Sequence, residues 1–246
     1  MAVITLSRQE GAGGEELARR IAQALGYRLV DKELLVRVAT MAHVPVEQVE
    51  ELAEGRGSPV ERFLHAVARG LPGLGEYYAA SAEALAGQGD ALRHFAYYGH
   101  REGKADFGRL RREDCLRYFA AAVRDLAERG NVVLVGRGGQ VLLADFPHAL
   151  HLRATAAEPY RARAVAAERG LDDGAALEHI HQADRHRAEY LQDSYDSDIG
   201  DPARYDLTVR LDRIAADAIV AFVHDWAVAE TVRHENQLRA GDESGR

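Results

Sequence analysis

Between Val3 and Leu25 the chain changes its repeat once, and that change fixes much of what can follow. Val3-Ile4-Thr5-Leu6 is β-branched and aliphatic, whereas Leu17, Ile21, Ala24 and Leu25 recur at helical spacing. Between them stand Gly11, Gly13 and Gly14. Strand, glycine turn and helix in this order build a cradle for an anion. Glycine admits backbone conformations that a side chain forbids. The amides of the turn and of the first helical residues can then converge on one phosphate. The candidate phosphate contacts are Arg8 and the run Gly11-Ala12-Gly13-Gly14-Glu15-Glu16.

The loop departs from the pattern G-x-x-x-x-G-K-[ST]. Laid on that pattern, Arg8 takes the first glycine and Gly13 the second. Gly14 stands where the lysine belongs, and Glu15 where the Ser/Thr belongs. The side chains that would meet phosphate and magnesium are missing, so the positive charge must come from elsewhere.

At 246 residues and 47% hydrophobic composition the chain can bury a sizeable core. One α/β domain over residues 1–235 fits this length, with a helical insertion near 32–112, a lid region near 160–200 and a disordered tail over 236–246. Net charge is −8, which argues against a nucleic-acid coat or a membrane-surface protein. Cys115 is the single cysteine, so an intrachain disulfide and a cysteine-based zinc site are excluded. No stretch reads as a signal peptide or is apolar enough to span a bilayer, and the cytoplasm is the expected compartment. Nothing in the residues fixes an oligomeric state.

Further along, Tyr27-Arg28-Leu29-Val30-Asp31 reads as a second strand. Asp31 is placed either to cap the next helix or to face a ligand at the sheet's C-terminal edge, and the two are compatible. Helices are expected from Pro45 to about Ala53 and from Pro59 to Ala68. The aromatic and basic residues from Arg93 to Lys104 read as a solvated loop with anchoring aromatics, or as a nucleotide clamp. Arg112 to Arg129 reads as an amphipathic helix. Val132-Val133-Leu134-Val135 reads as a central strand buried on both faces. Arg137 follows at the ligand edge.

A strand is expected over 149–154, an arginine-rich helix over 157–169 and a long polar helix over 172–195. The last carries Asp184-Arg185-His186-Arg187. Clustered arginines there suit a mobile lid over phosphates, or a solvated face laced with i,i+4 pairs. No metal ligands are read: the acids from Asp193 to Asp201 lack the calcium-loop register, and His179 and His181 fall on different helix faces. A fifth strand is expected over 206–211, followed by a closing helix from Ile214 to about Val232.

Taken together, these pieces resemble the cytidylate kinase-like proteins of the P-loop nucleoside monophosphate kinase group. The likeness rests on Ile4-Thr5-Leu6-Ser7-Arg8-Gln9, Gly11 to Glu16, Asp31-Lys32-Glu33-Leu34, Val135-Gly136-Arg137-Gly138, Asp184 to Tyr190 and Tyr205-Asp206-Leu207. It implies a P-loop α/β fold with a five-stranded parallel sheet in the order 2-3-1-4-5, helices on both faces, an acceptor lobe and a lid.

It also implies function: ATP-dependent phosphoryl transfer, with Mg²⁺, to a nucleoside monophosphate, most simply CMP or dCMP. Asp31, Arg37 and Arg137 would bind the acceptor. Arg185, Arg187 and Arg137 would neutralise the transferring phosphoryl, which needs positioning and charge rather than a covalent step. A small-molecule nucleotide is then the expected partner, with neither nucleic acid nor membrane. Two alternatives stand beside this: a degenerate kinase that binds nucleotide without catalysis, and a kinase of another small metabolite.

Overall fold

The structure, a computed structural model, describes residues 2–42, 44, 46–54 and 111–244. The expected helix over 59–68 and the aromatic and basic stretch from Arg93 to Lys104 lie outside these residues. Contacts group the chain into two units, one of residues 1–31 and 123–246, the other of residues 32–122.

In the first unit five strands form one parallel sheet: β1 (Val3–Arg8), β2 (Arg28–Val30), β3 (Val132–Val135), β4 (Ala149–Thr155) and β5 (Leu207–Arg210). Their order is β2-β3-β1-β4-β5, as the resemblance implies. β1 is therefore central, with Val3 beside Val132 on one side and Ala149 on the other. All four residues of β3 are buried, which is why it reads as an unbroken apolar run.

Helix α1 (Gly14–Leu25) follows β1 and lays Leu17, Ala18 and Ile21 against one face of the sheet. That face presents Ile4, Leu6, Leu150 and Leu152, and Ile219 and Val223 of the last helix complete the core. Each fully buried aliphatic side chain contributes roughly 1.5–3 kcal/mol. Gly26 stops α1 in a left-handed conformation (φ 65°), its N–H reaching the Ala22 and Gln23 carbonyls.

The sheet's other face is different. Thr5 and Ser7 of β1 point there beside His151 and Arg153 of β4, and Thr5 Oγ1 is hydrogen-bonded to His151 Nδ1 at 2.8 Å. The short helix α5 (Gly139–Leu142) sits over it; a Cβ on Gly139 would lie 3.3 Å from Thr5 Cγ2.

Helices α6 (Glu158–Arg169) and α7 (Asp173–Tyr195) form a hairpin between β4 and β5. Asp172 caps α7 by accepting the Ala175 N–H at 2.8 Å. Val165, Ala176 and Ile180 form a small core between the two helices.

The closing helix α8 (Ala216–Ser244) runs beyond the expected Val232 into the stretch read as a disordered tail. Its residues explain the difference: Glu235 to Ala240 contains no helix breaker, and Gln237, Leu238, Arg239 and Ala240 are strong helix formers.

In the second unit α2 (Glu33–Ala42) and α3 (Val46–Glu54) pack on each other, with Leu34, Leu35, Val38 and Val49 buried. Helix α4 (Arg112–Arg129) buries Cys115, Phe119 and Ala122 there, and its last turns belong to the first unit.

Candidate active site

The site begins where β1 ends. Gln9 N–H donates to Ala154 O at 3.0 Å, tying the loop's first residue to β4. Gly11 and Gly13 take left-handed conformations (φ 72° and 84°), and Gly13 stands at the N-cap of α1 with no side chain to cap it. The first intrahelical bond is Leu17 N–H to Gly13 O at 3.1 Å. The amides of Gly14, Glu15 and Glu16 therefore have no intrahelical acceptor and open onto the end of the central strand.

Gly14 explains the missing lysine. A Cβ on Gly14 would lie 2.5 Å from Arg8 Cβ and 2.9 Å from Arg8 Cγ. The stem of Arg8 therefore fills the volume into which a side chain at position 14 would grow. From there its guanidinium reaches Glu15, with Nε donating to Oε1 at 2.7 Å, and Nη1 crosses to Gly136, where a Cβ would come within 2.6 Å of it. Basic and small residues have exchanged places: the loop runs arginine, four residues, glycine, glycine.

After β3 the chain makes a left-handed turn through Gly136, Arg137 and Gly138 (φ 70°, 55° and 72°). For arginine this conformation costs about 1–2 kcal/mol, and strain of this kind collects at functional sites. The turn is held on both sides. Arg8 covers Gly136, while a Cβ on Gly138 would lie 2.4 Å from the Tyr195 ring. Tyr195 OH donates to Arg137 O at 3.3 Å.

The hairpin α6–α7 is bound to the loop through Glu10, a residue sequence reasoning passed over. Glu10 N–H donates to Asp184 Oδ1 at 2.8 Å, and Glu10 O accepts from Arg161 Nη1 at 3.1 Å. Its carboxylate takes Arg187 Nη2 at 2.5 Å, with His179 Nε2 at 3.3 Å and Arg169 Nη2 at 3.5 Å. Asp184 in turn holds Arg161 Nη1 at 2.6 Å. Burial pushes the Glu10 carboxyl up, but Arg187 and then His179 outweigh it and hold the group below the ordinary carboxylate value. Gly11 is part of the same junction, since a Cβ there would lie 2.6 Å from Arg161 O.

The sequence candidates are thus distributed unevenly. Arg8, the loop residues and the Arg137 turn converge at the end of β1. Ala12 is fully buried beneath the loop, and Glu16 pairs with Arg19 on the exposed side of α1. Arg187 reaches the loop, but through Glu10. Arg185, two residues away, is exposed on another face of α7. Asp31 lies in a bend directly after β2. Arg37 is on α2 in the second unit, so the expected acceptor residues are shared between the two units. His179 meets Glu10 and His181 meets Glu158, each in a histidine–carboxylate pair.

Among the described residues no group of three His, Cys, Asp or Glu could hold a metal, and no helix is long and apolar enough to cross a membrane. Magnesium bound with a nucleotide is held mainly by phosphates and water, with one or two carboxylates. Glu15 and Glu16 at the start of α1 are the carboxylates nearest the loop's amides, and each is paired with an arginine, Arg8 and Arg19 respectively.

Among solved structures, an uncharacterized protein from Eubacterium ventriosum ATCC 27560 matches 92% of this chain and 98% of its own, at 17% identity and a TM-score of 0.57. A shikimate kinase from Bacteroides thetaiotaomicron matches at 13% identity over 91% of this chain and 97% of its own, with a TM-score of 0.43. TT1252 from Thermus thermophilus matches at 16% over 89% and 96%, with a TM-score of 0.40. No curated protein matches. The model of the cytidylate kinase-like family matches residues 3–213, from the start of β1 to just past β5, and supports phosphotransfer of the kinase type. A match of that extent covers every strand of the sheet, the loop and the hairpin, and the chain belongs to the cytidylate kinase-like family.

Proposed function

We propose that the chain transfers the γ-phosphoryl group of ATP to a nucleoside monophosphate, CMP or dCMP. The observation that carries this is Arg8, whose stem fills the volume of the absent lysine beside the uncapped start of α1. In this reading the amides of Gly14, Glu15 and Glu16 bind the ATP phosphates, and Arg8 neutralises their charge. Asp31, Arg37 and Arg137 hold and orient the acceptor, and Arg187 meets the charge that develops on the transferring group. Magnesium bound with the nucleotide would offset charge on the outer phosphates, and Glu15 or Glu16 would have to leave its arginine to reach it.

One observation favours a second reading. Arg187 is engaged by Glu10, so the loop already supplies the anion that this arginine would otherwise take from ATP. A chain that kept Arg187 there would bind nucleotide without transfer.

Coupled detection of ADP separates the two, using purified protein with ATP, Mg²⁺ and CMP, dCMP, UMP or AMP in turn. Acceptor-dependent ADP formation, greatest with CMP or dCMP, is the expected result. Micromolar ATP binding with no transfer to any of the four would establish the second reading instead.

A further inference from the structure

The sheet face away from α1 carries an arginine that neither the loop nor the hairpin uses. Arg153 lies near the C-terminal end of β4, opposite Ser7 of β1. Its Nη1 donates to Ser7 Oγ at 3.3 Å and to Tyr205 OH at 3.1 Å, and the guanidinium carbon sits 5.3 Å from the centre of the Tyr205 ring. Tyr205 is fixed in turn: its hydroxyl donates to Ile199 O at 3.0 Å, and Gln140 Nε2 lies 3.4 Å from it. Every neighbour that orients Arg153 is neutral. The acid next to Tyr205, Asp206, is turned to β4, where Oδ2 accepts the His151 N–H at 2.7 Å. Among the described residues no carboxylate pairs with Arg153.

A part-buried guanidinium without a counter-ion is unfavourable unless a ligand brings the charge. Its orientation is fixed by the hydroxyls of Ser7 and Tyr205 and by the face of the Tyr205 ring, while Nε and Nη2 keep three N–H donors. That edge suits the bidentate grip an arginine makes on phosphate or carboxylate. The position is right as well, since ligands of open α/β sheets bind at the C-terminal ends of the strands. α1, which would carry the ATP phosphates, packs on the opposite face.

We propose that Arg153, with Ser7 and Tyr205 as its supports, forms an oxyanion site occupied by the phosphate of the phosphoryl acceptor. The existence of the site stands on the geometry; its assignment to the acceptor rests on the function proposed above.

Arginine Nε–H resonances of the ¹⁵N-labelled full chain test this directly, with inorganic phosphate as the probe. The Arg153 signal, assigned by its loss in Arg153→Lys, should shift saturably with phosphate. It should do so equally in Gly13→Val, where a β-branched residue obstructs the loop. CMP should shift it at lower concentration than cytidine does. Arg153→Gln should weaken phosphate binding in the Gly13→Val background about tenfold or more. An Arg153 signal that stays in place while phosphate shifts the amides of α1 would overturn the site, and if Arg153→Gln fails to fold, this wild-type resonance alone decides. Should the signal follow phosphate but not CMP, the oxyanion site stands and its assignment to the acceptor falls. Should it follow both in a protein that transfers nothing, only the proposed catalysis falls.

Discussion

The three glycines of the loop serve three purposes. Gly11 gives the hairpin room, because a side chain there would meet Arg161 O. Gly13 supplies a left-handed turn in open space, where a Cβ would meet only Leu211 Cδ1 at 3.8 Å. Gly14 yields its volume to Arg8. Gly13→Val should therefore abolish ATP binding by calorimetry while leaving the circular dichroism spectrum intact. The exchange between Arg8 and Gly14 makes a sharper prediction. Gly14→Lys alone should lose ATP affinity, because its stem collides with Arg8. Adding Arg8→Gly should recover most of that affinity, since the lysine then enters the vacated space. If Gly14→Lys binds ATP as well in the original background as in the double variant, the two positions are independent and the exchange is refuted. The vacancy at position 14 was visible in the sequence because the glycine pattern numbers the loop. What fills it was not: an arginine at the end of a strand gives no local sign of which way its stem turns.

At the scale of elements, the hairpin α6–α7 is fastened rather than loose. The N–H, C=O and carboxylate of Glu10 all bond to it, and their partners lie more than 150 residues away in the chain. The sequence suits either a mobile lid over phosphates or a solvated helix face. The structure has Arg187 at the loop already. This could not be read in advance, because the arginine cluster is compatible with a solvated face, and Glu10 looks like any exposed acid beside a glycine turn. Glu10→Gln should destabilise this junction by on the order of 1–3 kcal/mol, as expected when one partner of a part-buried charged pair is removed. Hydrogen exchange should then quicken in α7 around residues 180–190, while β1 and β3 keep their protection. Unchanged exchange in α7 would show that Arg161 and Asp184 suffice to hold the hairpin. Arg187→Ala should lower turnover by about 10²-fold or more with little change in ATP affinity, provided that transfer occurs.

For the molecule as a whole, the strand positions were legible and the order of the sheet came through the family likeness. Short β-branched and aliphatic runs mark the strands, but nothing local in Val3 to Arg8 says that this strand is central. The polar face under β1 and β4 was also illegible, since Thr5, Ser7 and His151 look like ordinary strand residues until their register is known. That face predicts a dependence on pH. Burial holds the imidazole of His151 below its ordinary value, against the pull of Asp206. The unfolded chain takes up a proton below about pH 6.5 and the folded one resists it, so stability falls as pH drops through that range. Glu10, also lowered, adds a second loss below its ordinary value of 4.5, because unfolding releases the carboxylate to be protonated there. Thermal unfolding of the wild type should therefore weaken between pH 7.5 and 5.5 and again below 4.5. His151→Gln should flatten the first interval and leave the second. Equal slopes in both proteins over the first interval would exclude His151 as its source.

The central place of β1 has a consequence for synthesis. Val3 is made well before its neighbours in the sheet, Val132 and Ala149, and Arg8 waits for Ala154. At about 5–20 residues per second, that is a delay of roughly 7–30 s. Throughout it, the aliphatic run Val3-Ile4-Thr5-Leu6 is a strand without its sheet partners, open to pairing with another chain. The strand that leads into the glycine loop is thus complete long before either strand it pairs with, and the centre of the sheet closes only after residue 154 is made.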